Sequence, residues 1–102
     1  MSLDIAILGP DGSSKKQMSI GVDDHHRLMQ IVGARGGLLA RLNDYYADAE
    51  FEHSELEDLI AEAATVSNHC HDDQRLLSSL RGLAELAEAA KSEGKGLVAI
   101  AD

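Results

Sequence analysis

A chain of 102 residues with 44% hydrophobic content suffices for one core and leaves no room for separate catalytic and regulatory domains. Nine Lys and Arg against 18 Asp and Glu give a net charge of −9, which disfavours contact with a phosphate backbone, so no nucleic-acid partner is expected. The hydrophobic content excludes a disordered chain, and no apolar run approaches the roughly 20 residues that span a bilayer, so no membrane partner is expected either.

In Leu3 to Leu8, Leu3, Ile5 and Ile7 fall on one face at period two, which predicts a strand. Asp4 interrupts this first apolar run. The opening segment also lacks a basic n-region and a small-residue cleavage site, so it does not read as a secretory signal. Cys70 is the only cysteine, no intrachain disulfide can form, and the expected compartment is the cytoplasm. The turn-forming run Gly9-Pro10-Asp11-Gly12-Ser13-Ser14 leads into Gln17 to Val22, where Met18, Ile20 and Val22 alternate, so the two strands are expected to form a hairpin.

Asp23 or Asp24 offers an N-cap for a short first helix carrying Leu28, Ile31 and Val32, which Gly33-Ala34-Arg35-Gly36-Gly37 breaks. Leu38, Leu39, Leu42, Tyr45 and Tyr46 then recur at three and four residues and predict a second helix that stops between Ala47 and Glu50, with Phe51 as an anchor after it. Ser54-Glu55-Leu56-Glu57 has the form of a capping box. It opens a third helix with Leu56, Leu59, Ile60, Ala63 and Val66 on one stripe. A fourth helix is predicted from Asp73 to Glu93, with Leu76, Leu77, Leu80, Leu83, Ala87 and Ala90 inward, a candidate bend at Gly82 and an end at Gly94. The tail Gly96 to Ala101 is apolar without helical spacing and reads as a strand.

The expected fold is a single α+β domain over 1–102, β-β-α-α-α-α-β, with a three-stranded sheet in the order 2-1-3 and helices packed on one face. Such a layer leaves Ala6, Leu8 and the second face of Leu97 to Ala101 as an open apolar patch, which a homodimer or another partner would cover.

His69-Cys70-His71, followed by Asp72 and Asp73, holds good zinc or copper ligands. Contiguous residues rarely aim three side chains at one ion, and no second ligand pair follows, so a polar interhelical loop with a capping aspartate is the first reading. A metal site from His69, Cys70, His71 and His53 is the alternative. Cys70 lacks an electropositive setting that would activate its thiol, and no catalytic residue is identified, which leaves a small enzyme with an unrecognised site as a third reading. Gly33 to Gly37, with Arg35, weakly suggests a phosphate-cradling turn. It follows a helix, lacks the P-loop lysine and the Rossmann spacing, and reads as a helix–helix turn; no cofactor is expected.

The sharpest asymmetry is the run from Asp44 to Glu62, where Asp44, Asp48, Glu50, Glu52, Glu55, Glu57, Asp58 and Glu62 occur with no Lys or Arg. A solvated face explains it blandly. The functional reading is a steering surface for a basic protein partner, with Tyr45, Tyr46 and Phe51, all the aromatic residues of the chain, as anchors among the acids. The expected contact residues are Asp44, Tyr45, Tyr46, Asp48, Glu50, Phe51, Glu52, Glu55, Asp58 and Glu62.

Met1 to Ile5, Ser19-Ile20-Gly21-Val22, Leu42 to Phe51 and Gly96 to Asp102 together resemble a family of short uncharacterised bacterial proteins. That family has no established activity, so the resemblance implies no site residue. Size, acidity and architecture are similar to cytoplasmic immunity proteins that neutralise toxin domains, which implies an immunity or antitoxin role by analogy of class.

Overall fold

The alternation in Leu3–Leu8 (β1) seats Leu3, Ile5 and Ile7 in the core, and a computed structural model describing residues 3–8, 14–32, 37–42, 48–69 and 72–101 shows what surrounds them. Ser14–Ile20 (β2) pairs antiparallel with β1 on one side, and Gly96–Ala101 (β4) pairs antiparallel on the other. The three predicted strands therefore lie side by side in the expected order. The expected three-stranded sheet is nevertheless one strand short, because Ala49–Phe51 (β3) pairs with β4 and completes an antiparallel sheet of order β2-β1-β4-β3. Three residues are too few to display a period of two, which is why this segment reads as the end of a helix.

Among the described residues three α-helices, against the four expected, cover the core side: Val22–Val32 (α1), Leu56–Ser67 (α2) and Gln74–Ser92 (α3). The predicted second helix is represented among the described residues by a five-residue 3-10 turn, Leu38–Leu42, while its continuation through Tyr45 and Tyr46 lies outside them. Leu39 and Leu42 are both buried, and their three-residue spacing suits three residues per turn as well as it suits an α-helix.

Local chemistry sets the helix ends. Asp73 caps α3 by accepting from the Leu76 N–H at 3.1 Å, and beyond α3 the Lys95 N–H donates to the Ala90 carbonyl at 2.9 Å, ending the helix at Gly94 as expected. Gly82 does not divide α3, which is continuous over 19 residues. A Cβ there would stand 3.4 Å from the Met18 methyl, an ordinary contact distance. The capping box sits two residues earlier than predicted: Glu52 accepts from the Glu55 backbone, and the Glu55 carboxylate accepts from the Glu52 N–H at 3.0 Å. A short 3-10 turn, His53–Glu55, then leads into α2. Asp23 and Asp24 lie in the first turn of α1 rather than before it, and Asp24 is buried beside Arg27.

One hydrophobic cluster joins sheet and helices: Ile7, Leu97 and Phe51, aligned across β1, β4 and β3, belong to it together with Leu56, Leu59, Leu80 and Leu83 of the helices. The opposite sheet face is open only in part, because Ala6, expected on the open patch, is 1% exposed. It carries Asp4, hydrogen-bonded by the Ser19 hydroxyl at 2.6 Å, next to half-buried Leu8 and Val98 and an Ile100 that is 42% exposed.

Candidate functional site

Ten residues were expected to meet a partner, and the structure sorts them by environment. Asp44, Tyr45 and Tyr46 lie outside the described residues. Asp48, Glu50, Glu52 and Asp58 are exposed. Phe51 is not an interface anchor: at 1% exposure it belongs to the core, because its position on β3 places it beside Leu97 on the covered face of the sheet. Nor are Glu55 and Glu62 free to meet a partner. Both turn inward and hold the fold together.

Glu55 is held by Arg41, which lies in the 3-10 turn Leu38–Leu42. The Arg41 Nη1 donates to Glu55 Oε1 at 2.7 Å and to the Glu50 carbonyl at 3.1 Å, and its Nη2 pairs with Glu55 Oε2. The same guanidinium stands 5.5 Å from the centroid of the Phe51 ring. It thus covers the outer edge of β3, where an unpaired carbonyl would invite another strand. The Arg41 hydrogen bond, seconded by the Glu52 N–H, lowers the Glu55 pKa from 4.5 to about 2.

A depressed carboxyl pKa stabilises the fold at pH above the unfolded value near 4.5, and the benefit is lost as pH falls through about 2. Arg41→Ala is therefore expected to lower the melting temperature at pH 7 and to narrow the gap from wild type progressively between pH 4.5 and 2. Thermal melts followed by circular dichroism across that range check this, and a gap independent of pH would show that the ion pair contributes nothing.

Glu62 solves a different problem. The 3-10 turn Leu38–Leu42 begins after Gly37, which has no side chain to cap it, so its leading N–H groups need an acceptor from elsewhere. Glu62, on α2, supplies both oxygens: Oε2 accepts from the Leu38 N–H and Oε1 from the Leu39 N–H, each at 2.9 Å. The phosphate-cradle reading of the glycine segment ends here, because the donors that would face an anion already face the protein's own carboxylate. Residues 33–36 of that segment lie outside the described residues.

The histidines are dispersed. His53 Nε2 donates to the Lys91 carbonyl at 3.1 Å before α2 begins, whereas His69 is exposed just beyond its end. The 12 residues of α2 span about 18 Å at 1.5 Å rise, so His53 and His69 cannot bind one ion together. Cys70 and His71 lie outside the described residues, and among the described residues no three metal-ligating side chains converge. His25 is buried and its Nε2 donates to the Leu42 carbonyl at 2.5 Å, tying α1 to the 3-10 turn.

Two features were missed in the sequence. Arg27 bridges Asp24 at 2.6 Å and Asp73 at 3.2 Å, with Arg75 3.5 Å from Asp24, so a four-residue ion network fastens α1 to the start of α3. Glu57 and Ile60 on α2, with Glu88 and Lys91 on α3, line one open groove, and Ile60, Ala64 and Ser67, with Leu77 and Ala84, line a second. The heptad-like spacings 57-60-64-67 and 77-81-84-88 carried that signal. No protein-family model, curated protein or solved structure matches this chain.

Proposed function

We propose that this chain is a non-enzymatic binding protein of the bacterial cytoplasm that presents Glu52 and Asp58 to a basic protein partner, in the manner of an immunity or antitoxin factor. The observation that supports this reading is the local lack of cations. Residues 44–62 contain no Lys or Arg, and Arg41, the arginine that reaches this region, is held by Glu55. Glu52 and Asp58 are left with an uncompensated field, which speeds encounter with a cationic surface and rejects acidic ones. With Phe51 inside the core, this surface steers by charge instead of anchoring by rings.

The test is capture from bacterial cytosol by immobilised wild type and by a Glu52→Lys, Asp58→Lys variant. Wild type is expected to retain a basic protein that is released at about 0.5 M salt, where exposed charges are screened. The variant is expected to lose it with an unchanged circular dichroism spectrum. Undiminished retention by the variant, or retention that ignores salt, removes the acidic surface from the account.

A further inference from the structure

We propose that the outer edge of β3 takes a strand from a basic partner, an extended segment whose backbone pairs with Glu50 and whose cations meet the acids that alternate along that edge. The pairing rests on the acidic-surface reading and supplies the contact that holds a steered partner. Among the described residues β3 ends the sheet, with β4 on one side and no strand on the other. Such an edge is a template for strand addition.

The backbone of β3 is turned to receive it. A Cβ on Gly96 would stand 2.5 Å from the Phe51 carbonyl oxygen, so that carbonyl faces β4. Carbonyls alternate in direction along a strand, and the N–H and C=O of one residue point to the same side, so Glu50 turns both groups outward. The Arg41 guanidinium meets the Glu50 carbonyl from outside, at 3.1 Å. This edge already accepts a cationic donor. The tighter contact of Arg41 is with Glu55 Oε1, at 2.7 Å, so Arg41 can keep Glu55 while an incoming N–H takes the carbonyl. The Glu52 N–H is occupied by Glu55, which confines the new pairing to Glu50 and leaves the remainder to charge.

Charge selects the occupant. Asp48, Glu50 and Glu52 fall at alternate positions along and just beyond β3, and all three are exposed. A segment with Lys or Arg at alternate positions matches them. A second copy does not, because antiparallel pairing of two β3 strands about Glu50 sets Glu50 against Glu50 and Asp48 against Glu52. The other sheet edge, β2, carries Lys15 and Lys16, and its register with β1 shifts between Ala6 and Leu8. A basic strand is repelled there.

Fluorescence anisotropy with a labelled peptide alternating Arg and Thr tests the assignment. The comparison is the same peptide N-methylated on its Arg amides, which keeps every charge but blocks the N–H that would reach the Glu50 carbonyl. Wild type is expected to bind the parent peptide and to bind the methylated one about 10-fold more weakly, the effect of losing about one hydrogen bond. Glu50→Pro removes the outward N–H without breaking a bond to β4, whereas Glu50→Gln removes the same charge and keeps the N–H. The proline variant is expected to bind the parent peptide about 10-fold more weakly than the glutamine variant, with an unchanged circular dichroism spectrum.

A parent peptide that does not bind wild type overturns the proposal. So does a folded proline variant indistinguishable from the glutamine one. Equal, salt-sensitive binding of the two peptides also overturns the strand pairing while leaving Glu52 and Asp58 as a steering surface, so the two readings fail separately.

Discussion

Replacing Phe51 with alanine should lower the free energy of unfolding by about 3–5 kcal/mol, the range for emptying a large buried aromatic site. The ring is 1% exposed and sits at the end of the aligned series Ile7, Leu97, Phe51, under the helical layer. It also supports the Arg41 guanidinium, 5.5 Å from its centroid, so truncation loosens the side chain that closes the β3 edge and holds Glu55. A domain of this size is stable by about 5–15 kcal/mol in total, which makes this loss a large fraction. Phe51→Leu retains most of the volume and should cost less than about 1.5 kcal/mol. Urea denaturation measures both. An alanine variant of unchanged midpoint but impaired partner capture would return Phe51 to the interface role that its sequence neighbours suggested.

The long elements were legible because their periodicity is sustained. Leu3, Ile5 and Ile7 alternate, and Leu76, Leu80, Leu83, Ala87 and Ala90 recur at helical spacing, and both sets face the core. Where the segment is short, periodicity carries no information. Leu38–Leu42 and Ala49–Phe51 are too brief to declare themselves, and a sheet edge and a 3-10 turn replaced the predicted second helix. The acid run was legible as composition but not as structure. Glu55 finds Arg41 14 positions away, and Glu62 finds Leu38 and Leu39 at separations of 24 and 23, distances at which only the tertiary fold decides a partner. One indirect sign was available: the predicted second helix opened on glycine, with no capping side chain of its own, so its first donors had to be satisfied from outside.

That borrowed cap leads to the second large effect, at Gly37. Its φ of 92° is costly for an L-residue, and a Cβ built there would stand 2.7 Å from Glu62 Oε1 and 2.9 Å from Cδ. The carboxylate can swing away only by leaving the Leu38 and Leu39 N–H groups. Gly37→Ala therefore combines a backbone penalty of about 1–2 kcal/mol with loss of hydrogen bonds to a charged acceptor, for a total of about 2–4 kcal/mol. Glu62→Ala alone should cost about 1–3 kcal/mol, because it leaves the same two donors without their acceptor. Once Glu62 is absent, Gly37→Ala meets no side chain and loses no cap, so in that background it should cost the backbone penalty alone. The double-mutant cycle is thus expected to be less than additive by about 1–2 kcal/mol, beyond the ~0.5 kcal/mol within which independent sites add. Additive costs in urea denaturation would mean that Glu62 does not cap the turn, and the two backbone donors would then be open to an external anion after all.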